Sequence, residues 1–326
     1  ATPAQKVDAR KMNIECPCSA ASPLEFSRRD WWTVFKDFGH EMQHDNVTIV
    51  AAGVGFFTML AIFPFITACL SIYGYIADPA RVQVQLENVS GMFPKQAWDI
   101  LDSQVMAVAS APNAQLGLGI AVGLLIALWS AGAGIRAIMR AMNIAYDEKE
   151  KRSIAKFYAL AGTFTLSLTI FMWLALAVII GVPALLSFIK LEGLAVLFTQ
   201  YLPWIILVSV FGFAVSILYQ YGPSRRPAKL RWVLPGCVFA TAFWILISIG
   251  LSWFVSAFGT LNKTYGSLSA AIVLLMWFWL TSFVIIAGAE INAAMERHTS
   301  VDTTRGPDRP IGKRGAVVAD CANFPI

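Results

Sequence analysis

Residues 47–73 read VTIVAAGVGFFTMLAIFPFITACLSIY, 27 consecutive positions without one Asp, Glu, Lys, Arg or His. A helix needs about 20 apolar residues to cross the hydrocarbon of a bilayer, and strands usually stop well before ten. Five further windows repeat the pattern: Leu116–Ile135, Phe157–Leu186, Tyr201–Tyr219, Val233–Phe258 and Ser267–Ala289. None of them holds a charged residue or a histidine. The reading is an all-α, polytopic membrane protein with six transmembrane helices. Composition agrees. Of 326 residues, 57% are hydrophobic and 14% charged, against roughly a quarter charged in soluble domains. Mean hydropathy is +0.62, so the bilayer must act as solvent for much of the surface.

Charge sets the orientation. The segments 1–46, 136–156, 220–232 and 290–326 hold 21 Lys and Arg; the three alternate connections hold four, Arg81, Lys95, Lys190 and Lys263. Positive residues stay on the cytoplasmic side, so both termini are expected there, with 74–115 outside. The net charge of +5 then belongs beside anionic lipid headgroups. A nucleic-acid groove wants clustered cations and aromatics on a soluble surface, and no soluble stretch is long enough. Nucleic acid is therefore not expected as a partner. The polar stretch opening at Ala1 predicts no cleavable signal peptide. Cys16, Cys18, Cys69, Cys237 and Cys321 are divided between tails and apolar runs, which is no disulfide framework.

Three units follow. Residues 1–25 are expected to be a disordered cytoplasmic tail, 26–297 the membrane domain, and 298–326 a flexible cytoplasmic tail rich in Gly, Pro, Asp and Arg. At the start of the membrane domain, Trp31, Phe35, Phe38 and Met42 recur at helical spacing, opposite Asp37, His40, Glu41 and His44. This predicts an amphipathic helix in the interface, with Trp31 and Trp32 at headgroup depth. In the outer loop, Trp98, Leu101, Val105 and Val108 mark a second amphipathic helix. Pro64 should kink the first span. Gly119 and Gly123 form a Gly-x-x-x-Gly spacing suited to close helix approach in the second, whose helix is expected to continue through Arg136, Arg140 and Tyr146.

Two constellations carry chemistry. His40-Glu41-Met42-Gln43-His44 fits H-E-x-x-H, which on a helix sets two zinc ligands beside a general base. The same residues are the polar face of an interfacial helix, and no span supplies a third ligand from its interior. The plainer reading is preferred, and no cofactor is expected; His40 and His44 remain weak metal candidates. Glu290 lies at the inner end of the sixth span, where a carboxylate wants a partner. Arg136 is expected at the same level, so a Glu290–Arg136 ion pair is predicted.

Several stretches together resemble the YihY/virulence factor BrkB family. They are AAGVGFFTMLAIFP at 51–64, Leu128-Trp129-Ser130-Ala131 running to Tyr146, and Tyr221-Gly222-Pro223 to Pro235-Gly236. The last is Asn262 through Tyr265-Gly266-Ser267 to Gly288-Ala289-Glu290-Ile291-Asn292. The similarity spans about residues 30–297. It implies a six-helix protein of the bacterial inner membrane. The family carried an older ribonuclease BN label. Some relatives are associated with serum resistance, others with export of envelope lipids or lipopolysaccharide. His40 and His44 are not part of its pattern, and it supplies no catalytic residues.

The expected function is non-enzymatic support of envelope lipid or glycolipid transport, with membrane lipids as partners. The alternative is a membrane scaffold that docks an envelope protein or a second copy of the chain. A zinc protease or a ribonuclease stands behind both, because the spans hold no catalytic constellation.

Overall fold

The computed structural model describes residues 20–76, 116–188, 192–257 and 268–320. Among these the secondary structure is helical, apart from one isolated β-bridge between Ala228 and Thr304. A 3-10 turn, Pro23–Glu25, precedes α1 (Arg28–His44). Six long helices follow: α2 (Val47–Ile76), α3 (Leu116–Ala145), α4 (Ile154–Phe188), α5 (Glu192–Tyr221), α6 (Leu230–Ala257) and α7 (Leu268–Arg297). A last short turn of helix, α8, is Val317–Asp320.

Local chemistry fixes the first of these. Ser27 caps α1 by accepting from the Asp30 amide at 3.2 Å, while the Asp30 carboxylate accepts from the Ser27 amide at 2.8 Å. This reciprocal box satisfies two amides that a helix start otherwise leaves open. At the other end Asn46 takes φ of +49°. Asn tolerates that left-handed region, and the chain turns there directly into α2. Asp147, at +52°, does the same between α3 and α4.

The long helices run from 28 to 35 residues. Four contain a described apolar stretch long enough to cross a membrane: Ile154–Phe171, Tyr201–Tyr221, Leu230–Val255 and Ala271–Arg297. In α2 the described apolar part, Val47–Ala61, is shorter. The predicted windows in α2 and α3 run on over side chains outside the described set. Each long helix packs on the next along the chain, and α7 returns to α2, so the six close into a ring; α7 also touches α1, α3 and α8.

The polar ends of these helices meet at one pole, here termed the base. It gathers α1, the start of α2, the α3–α4 and α5–α6 connections, the end of α7 and the segment 298–320. These are the segments that the Lys and Arg distribution groups together. The core above the base is built from small and medium side chains, among them Ala51, Val54, Ala141, Met142, Val215, Val233, Ala240, Ile286 and Ala289. Large apolar side chains point outward instead: Trp204, Ile205, Leu246 and Ile249 are each more than 60% exposed. In water that face would aggregate, whereas against lipid it carries no cost.

The tightest crossing joins α6 to α7. A Cβ added to Gly236 would lie 2.0 Å from the Gly288 carbonyl oxygen, and one added to Gly288 would lie 2.3 Å from Tyr219 Oη. Only glycine permits such an approach. Asn292 locks it, accepting from the Gly236 amide at 2.8 Å and donating to the Val233 carbonyl at 3.2 Å. The Tyr219 hydroxyl, from α5, donates to the Ile285 carbonyl at 2.7 Å.

The amphipathic helix is present, but its apolar face is turned to protein more than to lipid. Val34 is fully buried; Trp31 and Phe38 pack against the cluster of Phe26, Trp232 and Met295. Trp32 stays largely exposed. A flexible tail was expected from residue 298, yet Thr299, Thr303, Thr304 and Arg314 are buried. Asp302 and Asp320 explain this. Asp302 accepts from the Thr304 and Arg309 amides, and Asp320 from those of Gly312, Arg314 and Gly315. These carboxylates satisfy turns that composition alone reads as loose. The predicted outer-loop helix and residues 1–19 lie outside the described residues.

Candidate functional site

The base is the polar centre of the molecule. Arg225, in the α5–α6 connection, and Glu296, in the last turn of α7, have fully buried side chains. They meet as a fork: Nη1 to Oε2 at 2.8 Å and Nη2 to Oε1 at 2.7 Å. The Tyr146 ring lies 4.0 Å from the guanidinium carbon, and the Thr303 hydroxyl donates to Glu296 Oε2 at 2.7 Å. A buried pair persists only when such partners compensate the loss of water. Burial in turn pushes the Tyr146 phenol well above its ordinary range.

Arg297, the next residue, reaches elsewhere. Its Nε donates to Asp37 of α1 at 3.0 Å and its Nη1 to Asp147 at 3.2 Å. One side chain thus ties α7 to α1 and to the α3–α4 connection. Burial raises the Asp147 carboxyl, and Arg297 opposes that rise.

Asn143 spans the next gap, accepting from the Ser224 amide at 2.7 Å and donating to Glu150 at 2.9 Å. The Arg152 side chain holds Glu150 down at about 2 and donates to the Gly222 carbonyl at 2.8 Å. The segment after α7 is stitched on by the Lys229 amide to Thr303 and the Arg305 amide to Pro227, both 2.8 Å. Buried Glu148 accepts from the Val317 amide at 2.7 Å.

Among the described carboxylates of the base, one is left out. Glu290 is fully buried, and no donor among the described residues reaches either of its oxygens. Its neighbour within hydrogen-bonding reach is another acid, Asp45, with Glu41 close behind. The His44 ring stands beside them: Nδ1 is 3.0 Å from Asp45 Oδ1 and 4.0 Å from Glu41 Oε2. The hydrogen bond to Asp45 raises the His44 pKa.

Similarity to known proteins can be set against this geometry. The profile of the virulence factor BrkB family matches residues 38–311, which takes in α2 to α7 and most of the base. The chain belongs to this family. Among curated relatives, the ribonuclease-like protein YfkH of Bacillus subtilis is 33% identical over 252 residues, covering 76% of this chain and 89% of YfkH. A UPF0761 membrane protein of Aliivibrio salmonicida is 25% identical over 274 residues, 83% of this chain and 86% of its own. One from Pseudoalteromonas translucida is 23% identical over 276 residues, 84% and 88%. No solved structure matches.

In this BrkB-family protein the predicted site residues fare unevenly. Glu290 and Arg136 do not pair. Arg136 lies against the rings of Trp129 and Tyr158, 5.1 Å from each centroid, and donates to the Trp129 carbonyl at 3.2 Å. Two aromatic faces offer it a cation site on the α3–α4 side, away from the Glu290 carboxylate. Arg140 is exposed over Phe157 at 5.7 Å. The His40 and His44 rings stack at 6.2 Å; His40 Nδ1 lies 3.7 Å from Glu41 Oε1, whereas His44 alone reaches both Glu41 and Asp45. The backbone of α2 is helical through Pro64, and that of α3 through Gly119 and Gly123; their surroundings lie outside the described side chains. Asn262, Tyr265 and Gly266 also lie outside the described residues.

Sequence reasoning missed Arg225, Glu296, Arg297, Asp37 and Asn292. One signal was available: Glu290 and Arg297, like Asn292 and Glu296, sit at helical spacings on one span end, and polar groups there need partners.

Proposed function

We propose that this protein is a non-enzymatic component of the bacterial inner membrane, crossing it six times with both termini cytoplasmic, and that it supports movement of envelope lipid or glycolipid. The observation that carries this reading is the chemistry of the bundle between its poles. Among the described residues the buried polar groups there are chiefly hydroxyls, Thr165 and Thr169 on α4, Ser216 on α5, Thr241 on α6, and Thr281 and Ser282 on α7, with the Trp244 indole N–H beside them. The windows Phe157–Leu186, Tyr201–Tyr219, Val233–Phe258 and Ser267–Ala289 contain no Asp, Glu, Lys, Arg or His. An ion or proton path wants charged relays. A lipid headgroup needs hydrogen-bonding groups, while its chains remain in hydrocarbon. Thr165 and Thr169 bond carbonyls of their own helix at 2.8 Å, whereas the buried Thr281 hydroxyl has no partner among the described residues and is available to a ligand.

The cations of the base argue against the ribonuclease-like activity in the name of the Bacillus relative. Arg225, Arg297, Arg314 and Lys229 are committed to internal carboxylates and carbonyls rather than arrayed for a phosphodiester backbone.

The test has two arms. Protein purified in mild detergent is expected to retain a defined lipid class by mass spectrometry, and vesicles containing it to pass a fluorescent analogue of that lipid between leaflets faster than empty vesicles. Thr281→Val should slow the transfer. Retention of no lipid, with transfer at the empty-vesicle rate, would end the proposal. A scaffold is the second reading, favoured by the ordered segment 298–320; a stoichiometric protein partner co-purifying without lipid would support it instead.

A further inference from the structure

The corner where α1 meets α7 has too few positive charges. Asp37, Glu41, Asp45, Asp147 and Glu290 face one arginine, Arg297, which is already engaged by Asp37 and Asp147. His298, 3.9 Å from Asp37, His44, and His40, 3.7 Å from Glu41, are the other basic groups there among the described residues. Even with all three histidines charged, five acids face four bases. The Arg225–Glu296 pair nearby is matched one to one, so this imbalance is local.

The shape of the corner matches the imbalance. The ligand atoms of Glu41, His44 and Asp45 all lie within 4.8 Å of one another. An ion bound tetrahedrally at about 2.0–2.2 Å holds its ligand atoms about 3.3–3.6 Å apart, so side-chain rotations of about an ångström would close the set. His44 is open to solvent and supplies an entry side, while Glu41 and Asp45 are mostly covered. Behind them, outside that 4.8 Å set, Glu290 is fully buried, receives no hydrogen bond from the described residues, and has Asp45 as its neighbour within hydrogen-bonding reach. A fully buried carboxylate without a donor is costly. A cation between it and Asp45 would remove that cost. The cluster also lies at the C-terminal end of α1, where the helix dipole favours positive charge.

We propose that Glu41, His44, Asp45 and Glu290 form a binding site for one divalent transition-metal ion, with Zn2+ as the matching probe. One imidazole and three carboxylates suit such an ion better than Mg2+ or Ca2+, which prefer oxygen alone. The ion links the end of α1 to the membrane helix α7. The ligand set differs from the H-E-x-x-H reading, since His40 is excluded and Glu290 enters from a residue 246 positions after His44.

The experiment uses the full chain in mild detergent, stripped with a chelator and titrated with Zn2+ against a chromophoric competitor. One equivalent is expected to bind. Glu290→Gln and His44→Ala should each weaken it by about tenfold or more, and His40→Ala should leave it unchanged. Glu290→Gln keeps shape and removes charge, and His44 is exposed, so folding is not at stake in either. Zn2+ should raise the Tm of the wild type and not that of Glu290→Gln. Absence of saturable binding by the wild type would overturn the site. So would wild-type affinity in Glu290→Gln, or loss of the ion in His40→Ala.

Discussion

At the base, Arg225 and Glu296 are enclosed on every side, whereas along α5 and α6 Trp204, Ile205, Leu246 and Ile249 stand mostly exposed. The two regions answer to different solvents. The base spends its polar groups on one another: forked carboxylates, carbonyl-bound arginines, an asparagine joining two connections. The belt above it presents apolar side chains to hydrocarbon and packs apolar residues, from Ala240 to Trp244 and Phe278, with a few hydroxyls inside. Burial in the belt comes from surrounding lipid and needs no specific partner. Burial at the base must be matched atom by atom, so single substitutions should matter far more there.

The sharpest test of that contrast is Arg225→Ala. It strands Glu296 in a buried site, which costs about 3–5 kcal/mol. Thermal unfolding in detergent should show a large fall in Tm or loss of monodisperse protein. Ile249→Leu, on the exposed belt, is expected to stay within about 0.5 kcal/mol of wild type. Equal effects from the two would break the comparison.

Gly288→Ala probes the crossing between the regions. Its Cβ would fall 2.3 Å from Tyr219 Oη and 2.6 Å from the Gly236 carbonyl oxygen, so helices must shift, at about 1–3 kcal/mol. Glu290→Gln should act in the opposite direction in chelator-treated protein. It removes one acid from the crowded corner while keeping the side chain's shape, read as a higher Tm.

The smallest effect is a titration. Arg152 holds Glu150 at about 2, against an ordinary 4.5. Its contribution is therefore complete above pH 4.5 and is lost as pH falls toward 2. Glu150→Gln should flatten the acid limb of a Tm-against-pH curve over that window.

Much of the fold was legible. Over their described residues the six charge-free windows each lie in a long helix, and the Lys and Arg distribution grouped the segments that meet at the base. Partners were not legible, because hydropathy gives depth without rotation. The sequence marks Glu290 as a carboxylate that wants a partner, and no donor among the described residues reaches it. Arg136 was assigned to it by level alone, and two aromatic rings on another side of α3 took that arginine instead. The buried pairs join residues 71 and 260 positions apart, and no local pattern announces them. The segment 298–320 was misjudged for a related reason. Gly, Pro, Asp and Arg compose a loose tail and a carboxylate-capped one equally well, and the difference lies in which amides Asp302 and Asp320 reach.

The return of α7 to α2 has a consequence for biogenesis. Synthesis delivers α7 after every other long helix, yet Glu296 and Arg297 on it are the counterparts awaited by Arg225 and Asp37. Until the ribosome has released that last helix, the half-made chain holds unmatched charges at its base and an unclosed seam facing lipid. A stalled or shortened product would expose both to the proteases and insertases that inspect nascent membrane chains.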